Sequence, residues 1–221
     1  MSKVVTRNEF IDSRLSDYCA QHFTLPDEIV TDLRAATESL TGGRAGMAIG
    51  DDQAMLLEML ARSTRAELAI EIGTFTGMSA LSIARGIGPG SRLICCDVSE
   101  EWTAIAREFW ARAGLTDRID LRIGPALETL AELDDLVFDL AYVDADKVNY
   151  PAYYEALVPR MRQGGILLAD NTLQSGRVAD PDANDESTLA MRIFNDRVAS
   201  DERVRSVLLP IGDGVTFVEK R

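Results

Sequence analysis

The sequence predicts a doubly wound α/β fold, and three observations carry that expectation. From residue 68 onward, apolar runs at 68–72, 92–96, 120–123, 138–143 and 165–169 alternate with helical patterns at 77–85, 100–113, 125–132 and 150–158. Such alternation marks βαβ units and a parallel sheet. Second, Leu93-Ile94-Cys95-Cys96 and Ile166-Leu167-Leu168-Ala169 are continuously apolar, as strands covered on both faces are. Third, after a helix at 186–200, runs at 204–209 and 215–218 flank Pro210-Ile211-Gly212-Asp213-Gly214, which reads as a hairpin connection. The expected sheet is seven-stranded and mostly parallel, and it closes with an antiparallel pair.

The chain ahead of the sheet reads as helical. Residues 8–20 form a modest amphipathic helix. A second helix opens at Leu25-Pro26-Asp27 and runs to about residue 39, with proline and an acidic first turn as start signals. Thr41-Gly42-Gly43-Arg44-Ala45-Gly46 breaks it. A third helix at 51–62 carries Ala54, Met55, Leu56, Leu57, Met59 and Leu60 nearly all round, which predicts deep burial. Further on, Trp102, Ile105, Ala106, Phe109 and Ala113 form a helical stripe. The acidic, proline-containing stretch 177–187 is expected to be a mobile loop over a site. Residues 1–221 are expected to form one domain, with the helices of 1–63 packed on the sheet.

A chain of 221 residues is long enough to bury a sizeable core. Its net charge of −13 opposes binding to nucleic acid or to an anionic membrane, and no basic patch offsets it. Cys19, Cys95 and Cys96 are odd in number and two are adjacent within an apolar run, so they read as core thiols of a reducing cytoplasm. Residues 1–10 are polar, without the apolar centre of a signal peptide, and no run approaches the length of a membrane span.

In an open α/β sheet, ligands bind beyond the carboxyl ends of the strands. The first strand runs into Glu71-Ile72-Gly73-Thr74-Phe75-Thr76-Gly77-Met78-Ser79. Gly73 can take a positive φ and lets a ligand approach the backbone, and the following helix start offers free N–H groups. Glu71 is a carboxylate inside an apolar strand, costly to bury without a partner. The glycines are four apart, so this is not the G-x-G-x-x-G dinucleotide pattern. The second strand ends in Asp97, at the spacing of an acid that holds a ribose diol through two hydrogen bonds. The third ends in Gly124-Pro125-Ala126, the fourth in Asp144-Ala145-Asp146-Lys147 and the fifth in Asp170-Asn171. Each alone also reads as a cap, a turn or a surface charge; polar groups at all five ends point to a site. Adjacent strands lie about 5 Å apart, so Asp144 and Asp170-Asn171 can converge on one cation. Oxygen-only donors select a hard ion such as Mg²⁺, Ca²⁺ or Mn²⁺ over Zn²⁺. Lys147 can face the same space, and a lysine beside a metal can lose its proton more easily and act as a base. The single histidine, His22, lies in the helical N-terminal region and reads as filler, which disfavours a Ser–His–Asp arrangement.

These residues resemble the cation-dependent, S-adenosylmethionine-dependent O-methyltransferases, the family of caffeoyl-CoA and catechol O-methyltransferases. The likeness rests on Glu71 to Ser79, Gly124-Pro125-Ala126, Val143-Asp144-Ala145-Asp146-Lys147-x-Asn149-Tyr150, Asp170-Asn171-Thr172-Leu173 and Leu209-Pro210-Ile211-Gly212-Asp213-Gly214, in order from about Gly46 onward. It is nearest to the caffeoyl-CoA-like branch. The resemblance implies a Rossmann-like sheet and S-adenosylmethionine contacts from Met47, Glu71, Gly73, Thr74, Ser79, Asp97, Ala126 and Asp146. It implies metal ligation by Asp144, Asp170 and Asn171, a base in Lys147, acceptor contacts at Asp144 and Ser175, and a homodimer. The implied acceptor is a catechol-like or phenolic small molecule. Two departures stand out: plant-type members carry an aromatic where this chain has Gln174, and usually Tyr where it has Met78, so the acceptor's identity stays open. A nicotinamide-dependent oxidoreductase would also use Asp97 but has no use for the three oxygen ligands. A non-catalytic cofactor-binding module would leave Lys147 idle.

Overall fold

Alternate residues of a central strand must find opposite apolar faces, and β1 (Leu68–Ile72) does so directly. Ala69 enters one core cluster and Ile70 with Ile72 the other. The computed structural model describes residues 10–221. Around β1 stand β2 (Arg92–Asp97), β3 (Ile119–Ile123), β4 (Phe138–Val143) and β5 (Met161–Asp170), all parallel, followed by β6 (Val204–Leu209) and β7 (Val215–Lys220). The sheet order is β3-β2-β1-β4-β5-β7-β6. The expected doubly wound, seven-stranded sheet is therefore present. The final hairpin folds back so that β7 runs antiparallel to both β5 and β6, which leaves β6 at the edge.

Helices α1 (Ser13–Ala20), α2 (Glu28–Leu40), α3 (Asp51–Ser63), α4 (Met78–Gly86) and α5 (Glu100–Arg112) precede or accompany the first strands. Helices α6 (Ala126–Glu132), α7 (Tyr150–Leu157) and α8 (Glu186–Ala199) follow. One face of the sheet packs Leu33, Leu57, Leu81 and Phe109 against Ala69, Leu93 and Leu140. The other packs Leu130, Tyr154, Leu157 and Phe194 against Ile70, Ile94 and Ala141. Cys95 and Cys96 divide between the two clusters, the period-two consequence of a strand buried on both sides.

Four expectations need correction. The first helix begins at Ser13, because Asp12 caps it by accepting the N–H groups of Arg14 and Leu15; residues 8 and 9 lie outside the described residues. Helix α3 is not buried all round: Met59 is 58% exposed, while Gln53, Ala54, Leu57 and Ala61 form the buried stripe. That stripe follows from the close approach of α3 to α4, where a Cβ on Gly86 would come within 2.4 Å of the Glu58 carbonyl oxygen. Cys19 is exposed on the short α1 and is not a core thiol. The 177–187 stretch is pinned: Arg177 pairs with Asp185, and Arg192 donates to the carbonyls of Val178, Arg177 and Asp180. His22 is exposed and stacks on Tyr18 at 4.0 Å, in keeping with a filler role. No helix among the described residues is long and apolar enough to cross a membrane.

Candidate active site

A cavity of about 830 Å³ opens beyond the carboxyl ends of the strands. Of the candidate residues, all but Glu71 and Ser175 line it. Gly73 and Gly77 build the first turn with φ of +89° and +86°. Gly73 has no room for a side chain, since a Cβ there would lie 1.9 Å from the Asp144 carbonyl oxygen. Gly73 N donates to Cys96 O at 2.9 Å and Asp144 N to Ile72 O at 2.8 Å, so three strand ends are knotted together at this point.

Asp97 ties the first turn to the second. Its Oδ2 accepts from Thr74 N and Phe75 N at 2.9 and 2.7 Å, and its Oδ1 accepts from Ser99 N at 2.8 Å. A carboxylate offers about four lone-pair sites, so about one remains for a ligand hydroxyl where the sequence suggested two. Beside it, Phe75 and Trp102 meet edge to face at 5.0 Å, with Arg44 over the Trp102 ring. Ser79 sits in the first turn of α4, Ala126 opens α6, and Met47 stands half exposed in the short 3₁₀ turn Ala45–Met47.

Glu71 is fully buried, and neither carboxylate oxygen has a hydrogen-bond partner. Burial pushes its pKa up to about 7. Ser79, Thr74 and Cys95 lie near enough to offset part of this, but none hydrogen-bonds to it in the structure. The Thr74 hydroxyl is likewise buried and unpartnered. Two orphaned polar groups at one turn are costly and fit a site that receives a polar ligand.

At the ends of the neighbouring strands β4 and β5, Lys147 Nζ donates to Asp144 Oδ1 at 2.8 Å and to the Tyr150 hydroxyl at 2.7 Å. Burial works to lower the Lys147 ammonium, but Tyr150 and Asp144 outweigh it and hold it above the usual lysine range. The expectation of an easily lost proton therefore applies only with a cation on Asp144. Asp170 is 2% exposed; its Oδ2 accepts from Gln53 Nε2 and from the Tyr142 hydroxyl, both at 2.7 Å, and its Oδ1 accepts from Asn171 N at 2.7 Å. Burial first, and then the charge of Asp144, push its pKa up to about 7. Among the described residues no three His, Cys, Asp or Glu side chains cluster as a metal site. The expected set has two carboxylates and an amide, Asn171. Two mutually repelling carboxylates with an oxygen donor beside them suit a hard divalent cation.

Asp146 is exposed and is held by the Tyr153 hydroxyl and the Asn149 amide. Just past the end of β5, Asn171, Gln174 and Ser175 all have positive φ, and the turn is clamped by Thr172 N and Leu173 N donating to Gly214 O and Asp213 O. Ser175 N donates to Asp213 Oδ1, but the Ser175 residue is exposed and lies off the cavity lining. Gln174 lines it, its Nε2 donating to Asn171 O and its Oε1 accepting from Ser187.

Sequence reasoning missed Gln53, Tyr142 and Trp102 as site residues. Gln53 was legible: it stands four and eight residues before Leu57 and Ala61, on the buried stripe, where a polar side chain needs a partner. Tyr142 was masked by its place in an apolar strand, and Trp102 by its place in a helical stripe.

The family described as O-methyltransferase matches residues 20–221. Probable caffeoyl-CoA O-methyltransferase 2 of Dictyostelium discoideum is 45% identical over 174 residues, covering 76% of this chain and 75% of that protein. The O-methyltransferase from Bacillus cereus, solved in complex with SAH, superimposes with a TM-score of 0.85 at 28% identity, covering 94% of this chain and 97% of the other. The O-methyltransferase TomG from Streptomyces achromogenes, solved with SAM, gives the same TM-score of 0.85 at 28% identity, covering 94% and 96%. With this fold and strand-end cavity, the chain belongs to the O-methyltransferase family and is an enzyme of that class.

Proposed function

We propose that the enzyme transfers the methyl group of S-adenosylmethionine to a hydroxyl of a catechol-like or phenolic small molecule, with a divalent cation. The observation that carries this reading is the cluster Asp144, Lys147, Asp170 and Asn171 on the same cavity wall system as Gly73 and Asp97. Relatives solved with SAH or SAM support the donor. In this reading the turn at Gly73 and Thr74, with Glu71 and Ser79 behind it, Met47 at the rim and Asp97, Ala126 and Asp146 beside it, holds the donor. Asp144, Asp170 and Asn171 would hold the cation, taken as Mg²⁺, with Mn²⁺ or Ca²⁺ sharing its preference for oxygen donors.

The cation supplies positive charge that lowers the pKa of the acceptor hydroxyl. With a cation held on Asp144, Lys147 would shed its own proton to solvent and, as the neutral amine, take the hydroxyl proton, a contribution of about 10²- to 10⁴-fold. The acceptor oxygen then forms its bond to the methyl carbon as the carbon–sulfur bond breaks, and the electron pair stays on sulfur. Most of the remaining acceleration comes from holding the two partners in attack geometry, worth up to roughly 7–11 kcal/mol. Asp144 and Gln174 border the acceptor, while Ser175, which lies off the cavity lining, acts only by holding Asp213 through its N–H.

The test is chelation. Dialysis against EDTA should abolish turnover of a simple catechol, and added Mg²⁺ or Mn²⁺ should restore it, with donor affinity changing far less. Full activity in a preparation shown metal-free by elemental analysis overturns the cation-dependent part of the reading. We also propose a homodimer in a reducing cytoplasm. Three free cysteines support the compartment, and light scattering at a mass near the 24.2 kDa monomer would count against the dimer.

A further inference from the structure

The geometry points to Gln53 as a positioning residue that makes Asp170 a single-oxygen donor to a divalent cation, tying α3 to the metal end of the cavity. This rests on the cation-dependent reading above. A carboxylate has about four lone-pair sites, two on each oxygen. On Asp170 both sites of Oδ2 are filled, by Gln53 Nε2 and the Tyr142 hydroxyl, each at 2.7 Å. Among the described residues Oδ1 accepts only Asn171 N, at 2.7 Å, and so keeps one site open. A carboxylate free to turn could present both oxygens to a cation. This one is locked by donors from two separate elements, α3 and β4.

The amide of Gln53 is suited to the task because its NH₂ is a donor that carries no charge. A lysine there would neutralise the carboxylate, and a glutamate would repel it. Gln53 is 5% exposed and Asp170 2%, so water does not readily replace the bond. The contact spans 117 residues of sequence and joins the helical N-terminal part directly to the end of β5. The start of α3 is braced independently, since Arg34 pairs with Asp51 and donates to Ile49 O. Loss of the Gln53 amide should therefore leave the helix in place on its Ala54, Leu57 and Ala61 face.

The experiment is a Mn²⁺ titration of the full-length protein with S-adenosylhomocysteine present, reading free Mn²⁺ by its electron paramagnetic resonance signal. Gln53→Leu should weaken Mn²⁺ binding by about 10- to 100-fold, the range for residues that orient metal ligands, while S-adenosylhomocysteine affinity by calorimetry stays the same. The Mg²⁺ concentration giving half-maximal turnover should rise by the same factor, and saturating Mg²⁺ should recover kcat. A merely structural role would lower Tm without moving the Mn²⁺ affinity. Tyr142→Phe removes the second donor at nearly constant shape, and it should shift Mn²⁺ affinity in the same direction even if Gln53→Leu fails to fold. Unchanged Mn²⁺ affinity in the folded variants overturns the inference alone. Absence of Mn²⁺ binding by the wild-type protein overturns it together with the cation-dependent reading.

Discussion

A carboxylate already gripped by three backbone N–H groups is a building part of the fold, and Asp97 is such a group. Removing it frees the N–H groups of Thr74 and Phe75 and loosens the turn against which the donor is proposed to rest. Asp97→Ala should weaken S-adenosylmethionine binding by about 10- to 150-fold, the equivalent of one charged hydrogen bond at roughly 1.5–3 kcal/mol. Calorimetry giving wild-type affinity would remove Asp97 from the site. On the proposed acceptor side stands Gln174, which lines the cavity and whose amide is fixed in orientation by Asn171 O and Ser187. It retains a polar edge where plant-type members have an aromatic ring. Gln174→Trp should lower kcat/KM for acceptors with a polar tail by about 10-fold, near the upper end for a neutral hydrogen bond. The same variant should spare unsubstituted catechol, and an equal loss on both acceptors would show a packing effect instead. Asp97, Asp144 and Asp170 stood out in the sequence because they share the carboxyl ends of successive strands, where ligands bind in such sheets, although each alone also reads as a cap or a turn. The partners of those acids were not, since Gln53 and Tyr142 lie far away in sequence and meet Asp170 only through the packing of α3 and the pairing of β4 with β5.

Among the elements, the junction of β1 with its turn is the least tolerant. Gly73 combines a φ of +89° with a backbone carbonyl where a Cβ would stand. The left-handed conformation alone costs a non-glycine residue about 1–2 kcal/mol, and the overlap with Asp144 must be relieved by parting β1 from β4. Gly73→Ala should therefore lower Tm by more than Gly90→Ala, which has a φ of +84° but open space around it. Comparable Tm losses in differential scanning calorimetry would mean that backbone strain, not the close approach, sets the cost. The strands themselves could be read from their apolar runs, and the hairpin from its Gly-containing connection. The insertion of β7 between β5 and β6 could not, because a hairpin's sequence fixes the pairing of its own strands and not which of them joins the sheet. The exposure of Met59 was hidden for a similar reason. An all-apolar helix surface does not say which side its neighbour takes, and here Gly86 of α4 decides it.

For the molecule as a whole, arginine-paired carboxylates and unpaired buried ones pull the pH dependence of stability in opposite directions. Asp201 is held below its ordinary range by the Arg203 guanidinium, and Asp185 by Arg177. Their contribution is complete above the unfolded pKa near 3.8 and is lost as pH falls through the lowered folded values. Glu71 works the other way: burial raises its folded pKa to about 7 from an ordinary 4.5. Below 4.5 both states hold the proton, and between 4.5 and 7 the unfolded chain releases it first. Stability therefore falls as pH rises through that window, by about 3 kcal/mol for this one group, and levels off above it. Asp170 shifts in the same direction, so the difference between variant and wild type, not the wild-type curve alone, isolates Glu71. Repulsion within a net charge of −13 adds to the same limb, but salt screens that part and leaves a buried carboxyl nearly untouched. Glu71→Gln keeps the shape and mimics the protonated acid. Urea unfolding in high salt, without cofactor or metal, should show the variant near wild-type stability at pH 4.5 and more stable than wild type at pH 8. Equal stability at both pH values would mean that Glu71 already has a partner for its charge, and that the turn at Gly73 carries no unmet polar demand for a ligand to satisfy.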